Sequence, residues 1–233
     1  MTPVMTYRSQ FQTAMDTLTI GFPDRRIFVA SVPDVYQLWA VLHTNENARL
    51  TWAAFSICQS LLLNPLSMLP ADVQRRANVR QRNIDFNTQL AEVCALYPRC
   101  TFDNNAIFNG QFTAADVSDF DYFHPSLQGQ INLAAGAWAV YDVDDDGWAS
   151  GSEGTIGTDA LDNCGADAWP PDINNNGSIG VIDDLAAVAG DAFESVPPAP
   201  ARHDIAPDPP NGTIGVIDDL ARIAGLFGQS CTP

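Results

Sequence analysis

The chain has 233 residues, 46% of them hydrophobic, and a net charge of −17 carried against eleven arginines and no lysine. That length and apolar content suffice for one medium domain and a smaller one. The charge argues against a nucleic-acid partner, because phosphate binding needs clustered positive charge.

The charge is unevenly spread. Residues 1–140 hold 11 acids and 9 arginines, whereas residues 141–233 hold 17 acids and 2 arginines. This asymmetry predicts a domain boundary near residue 140. The acids of the second region sit at fixed spacings, which points to cation binding. No run approaches the roughly 18 apolar residues of a membrane helix, and "MTPVMTYRSQ" lacks the apolar core of a signal peptide.

In chain order, "VMTYRSQFQTAMDTLTI" places Phe11, Met15 and Leu18 at helical spacing, with Gly21 and Pro23 as stops. "RRIFVASVP" reads as a short parallel strand ending at Pro33. "DVYQLWAVLH" reads as a helix with Asp34 as N-cap. "NARLTWAAFSICQSLLL" reads as another. "ADVQRRANVRQRNIDFNTQLAEVCALY" is the longest helix, with Val73, Ala77, Ile84, Leu90 and Val93 expected towards the core and its arginines in water. "CTFDNNAIF" is a second strand, and "PSLQGQINLAAGAWAV" is a closing helix entered through Pro125. Strand, helices, strand and helix follow the grammar of an α/β sandwich with a parallel sheet, although a doubly wound sheet normally has four or more strands.

Five cysteines suggest an oxidising compartment. Cys94 and Cys100 bracket a short segment, and Cys164 and Cys231 bracket the acidic region, so their placement at segment ends pairs them in that way. Cys58 is left as a free thiol or as a thiol with a partner outside the chain.

The acidic region contains a repeat. "SIGVIDDLAAVAG" at 178–190 recurs as "TIGVIDDLARIAG" at 213–225, an offset of 35 residues, which marks a duplicated supersecondary unit. "SVPPAPAR" joins the copies. Three stretches match the twelve-residue calcium loop. In "DVDDDGWASGSE", Asp142, Asp144 and Asp146 fill positions 1, 3 and 5. Gly147 makes the turn at 6, Trp148 offers its carbonyl at 7, Ser150 is at 9 and Glu153 is at 12. In "DINNNGSIGVID", Asp172, Asn174 and Asn176 fill 1, 3 and 5, Ser178 offers its carbonyl, and Asp183 is at 12. With two acids instead of four, this loop is the weaker site. "DIAPDPPNGTIGVID" has three extra residues before Gly212, and Asp204, Asp208, Asn211 and Asp218 are its candidate ligands. The alternative for the first stretch is an acidic surface turn.

The two copies, each a loop followed by "DLAAVAG" or "DLARIAG", resemble dockerin repeats, and "DVDDDGWASGSEGTIGTDALDNC" resembles calcium-binding repeats of the thrombospondin type 3 kind. The resemblance implies bound Ca2+, a small all-α dockerin-like module, and a cohesin-like protein as partner; the alternative is a stabilising calcium tail with no partner. "DYFHPSLQGQ", with Asp121 three residues before His124 and a helix behind it, is similar to the last block of SGNH (GDSL) esterases and lipases; "IFVASVPDVYQLW" and "RNIDFNTQL" fit that family too. The resemblance covers about residues 1–140.

It implies a partial flavodoxin-like three-layer α/β/α domain, with His124 as general base and Asp121 orienting the ring. The substrate would be an ester, a lipid or an acylated polysaccharide. The family's nucleophilic serine, glycine and G-x-N-D asparagine have no counterpart in the chain. The expectation is that they are encoded upstream, together with a signal peptide for export, and that this chain alone has little catalysis. The expected organisation is an SGNH part at 1–140, a calcium loop and linker at 141–165, and a dockerin-like repeat pair at 166–233. The alternative is a calcium-dependent anchoring module with an inactive hydrolase remnant.

Overall fold

In the computed structural model residues 1–231 are described. They form two units, Met1–Ala137 and the chain from Trp138 onward. The first unit runs α1 (Val4–Gly21), β1 (Ile27–Val29), α2 (Tyr36–Leu42), α3 (Glu46–Ala54), α4 (Gln59–Leu62), α5 (Pro70–Cys94), β2 (Cys100–Phe102), α6 (Ala106–Asn109) and α7 (Leu127–Trp138), whose last residue lies at the junction.

The three-layer α/β/α domain is not what forms. Among the described residues the only sheet has two parallel strands of three residues each, with Ile27 opposite Cys100 and Val29 opposite Phe102. The rest of the first unit is helix and loop. One apolar cluster joins Val29, Leu90 and Cys94 beneath Tyr7, Phe11 and Phe102. A second is built from helices and loops, with Leu38, Trp39, Trp52, Leu61, Leu62 and Val79 at its centre.

The strands stop for a visible reason. After β1 the chain bonds to side chains of α5 instead of to another strand. Asn87 Oδ1 accepts from Val32 N at 2.8 Å, and its Nδ2 donates to Val32 O at 2.9 Å. Asn83 Oδ1 accepts from Val35 N at 3.1 Å. After β2, Asp103 turns the chain by accepting from Asn105 N and Ile107 N, and it also takes the Ser31 hydroxyl at 2.7 Å.

This polar seam also corrects the expected face of α5. Leu90 and Val93 are buried, but Val73, Ala77 and Ile84 are exposed. The inward face is Arg76, Val79, Asn83, Asn87, Leu90 and Cys94. Arg76 is 1% exposed; its guanidinium lies 4.3 Å from the Trp39 ring centroid and donates to Ser67 O at 2.8 Å. The expected single helix over 47–63 breaks into α3 and α4 at Ser56 and Cys58, both in the left-handed region. Val35 and not Asp34 stands at the N-cap of α2; Asp34, one residue earlier, accepts from Tyr36 N at 3.2 Å and pairs with Arg80 at 2.8 Å. Cys94 bonds Cys100, tying the end of α5 to the start of β2, and Cys164 bonds Cys231; Cys58 is free and half-buried.

The second unit contains α8 (Ser150–Ile156) and two equivalent helices. Each of these opens with a wide π turn, Val181–Leu185 or Val216–Leu220, and continues as α9 (Ala186–Gly190) or α10 (Ala221–Gly225). Both wide turns close in the same way, Leu185 N on Gly180 O and Leu220 N on Gly215 O, each at 3.1 Å. The duplication has a structural counterpart. Ser178 pairs antiparallel with Ser230, and Thr213 pairs antiparallel with Ser195, so each loop is bound by the segment that follows the other copy. The first acidic loop belongs to the same core: Trp148 and Ile156 pack with Trp169, Ile179, Val188, Ile205, Ile214 and Ile223.

Candidate functional site

The three loops share one scaffold. The aspartate at position 1 accepts from the position-6 glycine amide in each: Asp142 from Gly147 at 3.0 Å, Asp172 from Gly177 at 2.6 Å, and Asp204 from Gly212 at 2.6 Å. The glycines have φ of 97°, 83° and 84°, a region that side-chain-bearing residues rarely enter. A lone aspartate wrapped by backbone amides is an ordinary turn, so this scaffold alone defines no site.

The loops differ in what happens to the remaining oxygens. In the second loop Asn174 Nδ2 and Asn176 Nδ2 donate to Asp183 Oδ2 at 2.8 and 3.1 Å, and the Ser178 hydroxyl donates to Asn176 Oδ1 at 2.8 Å. Backbone amides first, and then the two asparagine amides, hold Asp183 below the usual carboxylate range. In the third loop Asn211 Nδ2 donates to Asp218 Oδ2 at 3.1 Å. Carboxamide hydrogens thus close both of these loops.

The first loop has no such closure. Asp142, Asp144 and Asp146 each bring a carboxylate oxygen within 4.8 Å of the others. Both oxygens of Asp144, one of Asp146 and Oε2 of Glu153 are buried with no hydrogen-bond partner, and Glu153 is 0% exposed. Buried unpaired carboxylates are costly. Burial, then the Asp142 charge, pushes Asp144 up to about 6. Burial, reinforced by Asp144, Asp142 and Asp208, pushes Asp146 up to about 7. Burial, then Asp146 and Asp144, pushes Glu153 up to about 8. Orphaned oxygens on Asp144, Asp146 and Glu153, beside a cluster that Asp142 completes, are what a hard divalent cation with oxygen ligands requires, so the residues present fit a metal ion.

Ser150 stands at position 9, but its hydroxyl donates to Tyr141 O at 2.7 Å and accepts from Val143 N. Trp148 sends its indole N–H to Ile205 O at 2.8 Å. Asp208, a candidate ligand of the third loop, instead serves the first: it accepts from Ala149 N at 2.9 Å and from the Ser152 hydroxyl. The pattern search missed Asp184 and Asp219, the second acids of "IDDL". Both are fully buried. Asp184 binds Asn174 N and Gly180 N, and Asp219 binds Ile205 N, Ala206 N and Gly215 N. Their signal was the doubled acid in both copies.

In the first unit Asp121 Oδ2 lies 2.5 Å from His124 Nδ1. Asp121 Oδ1 accepts from the amides of Phe123 and His124 at 3.0 and 3.1 Å. Burial pushes the Asp121 carboxyl up, but the His124 ring and these two amides outweigh it and hold the carboxyl below its usual range. The loop is pinned by Trp52 Nε1 on Tyr122 O at 2.9 Å and by Ser118 N on His124 O at 2.9 Å. His124 is 73% exposed and borders a cavity of about 160 Å³ lined by Val35, Leu38, Phe112, Phe123 and Leu133.

Ser31 and Ser126 of the first unit are engaged elsewhere. The Ser31 hydroxyl is buried between Asp103 and Phe108 N. Ser126 caps α7, donating to Ala115 O and accepting from Gly129 N. His203 also meets a carboxylate, Asp191 at 2.6 Å, but it is largely covered. No family model, no curated protein and no solved structure matches this chain.

Proposed function

We propose that the chain from Trp138 onward is a calcium-binding module of a secreted protein, with its tightest site in the loop Asp142–Glu153, and that the module serves anchoring or interaction. The orphaned oxygens of Asp144, Asp146 and Glu153 carry this reading, since nothing in the protein satisfies them. The ion would supply positive charge to a cluster that otherwise repels itself. The two disulfides support export, because such bonds persist in oxidising compartments. Among the described residues no helix is long and apolar enough to cross a membrane.

Interaction is supported by the helix openings. Ile182 and Ile217, at equivalent places in the two copies, are 91% and 93% exposed beside the half-exposed Val181 and Val216. A duplicated apolar pair suits a protein partner of the cohesin kind. Calcium titration of the full chain by calorimetry tests the cation reading. The expected result is a tight phase that Glu153→Gln removes and Asp183→Asn leaves in place. Absence of calcium uptake at millimolar concentration defeats it.

A second reading rests on the Asp121–His124 pair and its neighbouring cavity: an acid–base dyad of a carboxylic ester hydrolase. With Nδ1 held by Asp121, Nε2 is the ring nitrogen left to take a proton from a nucleophile and return it to a leaving alcohol. The cavity suits a short acyl chain. Titration with hexanoate, followed through the His124 ring signals by NMR, is expected to perturb them in the parent and not in Leu133→Trp. Equal response in both sinks this reading.

A further inference from the structure

The second copy departs from the first in two ways that matter chemically. It carries three extra residues between Asp204 and Gly212, and within the shared block it has Arg222 where the first copy has Ala187. Both departures touch the first loop. Asp208, within the inserted stretch, accepts from Ala149 N and from the Ser152 hydroxyl. Arg222 donates to Gly147 O at 3.3 Å, and its guanidinium lies 4.6 Å from the Trp148 ring centroid. Just before the insertion, Ile205 O takes the Trp148 indole N–H at 2.8 Å. No counterpart of this grip exists in the first copy, whose Asp172 loop has the regular length.

We propose that Asp208 is a positioning residue of the first loop's cation site, fixing the start of α8 so that Glu153 stays over the aspartates, and that the second repeat thereby sets that site's affinity. The inference rests on the cation reading given above. Glu153 sits one residue beyond Ser152 on the same turn of α8, so a contact that fixes Ala149 and Ser152 also fixes where the Glu153 carboxyl emerges. Both Asp208 oxygens are used by these two donors, which makes it a support for a ligand instead of a ligand. Outer partners of this kind typically change metal affinity about 10- to 100-fold. The insertion that departs from the loop pattern at 204–218 therefore has a use: it converts one copy of the repeat from a cation loop into a brace.

The test uses the full chain with terbium(III) as the probe, its luminescence sensitised by tryptophan, and calcium as competitor. Glu153→Gln first identifies the phase that belongs to the first loop. Asp208→Ala is expected to weaken that phase by about tenfold or more. Asp208→Asn is expected to recover part of the loss, because the amide oxygen still accepts from Ala149 N while the charge is gone. Ser152→Ala, which keeps the backbone contact, is expected to weaken it about threefold, so the idea stands or falls even where Asp208→Ala fails to fold. If the parent takes up neither ion, the cation reading is overturned and this inference with it. A parent that binds while Asp208→Ala and Ser152→Ala bind equally well overturns the inference alone. Equal losses in Asp208→Ala and Asp208→Asn also overturn it, by showing that the charge acts on the ion directly.

Discussion

Glu153 and Asp219 are both fully buried acids, and they differ in what surrounds them. Asp219 accepts from three backbone amides, Ile205, Ala206 and Gly215, so its burial is satisfied. Glu153 retains an oxygen that no donor reaches. Asp219→Ala should destabilise the calcium-loaded second unit by about 3 kcal/mol, since each stranded buried amide costs on the order of 1 kcal/mol or more. Urea unfolding in calcium checks this; a shift under about half a kcal/mol contradicts the assigned contacts. Gly180 and Gly215 are constrained by the residue that would close each loop. A Cβ on Gly180 would stand 1.9 Å from Asp183 Oδ1, and one on Gly215 would stand 1.8 Å from Asp218 Oδ1. Gly180→Ala must therefore push Asp183 out of place, and it is expected to lower calcium affinity at the second loop while leaving the first loop's phase intact.

On the scale of elements, α5 organises the first unit through a mixed face. Its asparagines bind the chain just beyond β1, at Val32 and Val35. Asn87→Leu leaves Val32 N unpaired and Val32 O with only the 3.3 Å bond from Asn83 Nδ2, and it should cost about 2 kcal/mol. Thermal or urea unfolding of the first unit measures it, and a neutral result would mean that water replaces the amide. The bridges act on different lengths of chain, with sequence separations of 6 and 67. Loop entropy makes Cys94–Cys100 worth roughly 2 kcal/mol and Cys164–Cys231 about 4 kcal/mol. Single Cys→Ser changes at Cys100 and Cys164 should rank in that order. The helices α9 and α10 follow their loops through π turns that carry Ile182 and Ile217 outward, so one local geometry, used twice, makes the apolar pair.

For the whole molecule, the two units should respond differently to pH and to chelators. Asp144, Asp146 and Glu153 titrate near 6, 7 and 8 in the metal-free fold, above the ordinary carboxylate values near 4. The folded state therefore binds more protons than the unfolded chain. The stability from these groups is complete below about pH 4 and is lost as pH rises through about 6 to 8. In EDTA the second unit should melt lower at pH 8 than at pH 5. Calcium should reverse this at pH 8, where ion binding meets little competition from protons. Calorimetric scans at the two pH values, with and without calcium, make the comparison. Melting in EDTA that does not fall between pH 5 and pH 8 contradicts the burial of these acids.

Spacing alone marked out the three loops, their turn glycines, the duplication and the cysteine placement, because each depends on short-range geometry that residue types dictate. The Asp121–His124 pair was singled out by resemblance to a family block, and its contact is local, between residues three apart. The sequence reading failed where a residue's partner lies far along the chain. A three-layer sheet was expected from two strand-like runs. Instead α5, some fifty residues beyond β1, supplies carboxamides that bind the backbone at Val32 and Val35, where β1 has already ended. Apolar spacing pointed to Val73 and Ile84 as core, but the inward face belongs to Arg76, Asn83 and Asn87, whose polar groups find buried partners that no local pattern announces. Asp208 sat inside a loop motif and was read as a ligand of that loop. Only tertiary structure sends it to Ala149 and Ser152, because an inserted stretch is free to leave its own loop when another backbone offers better donors.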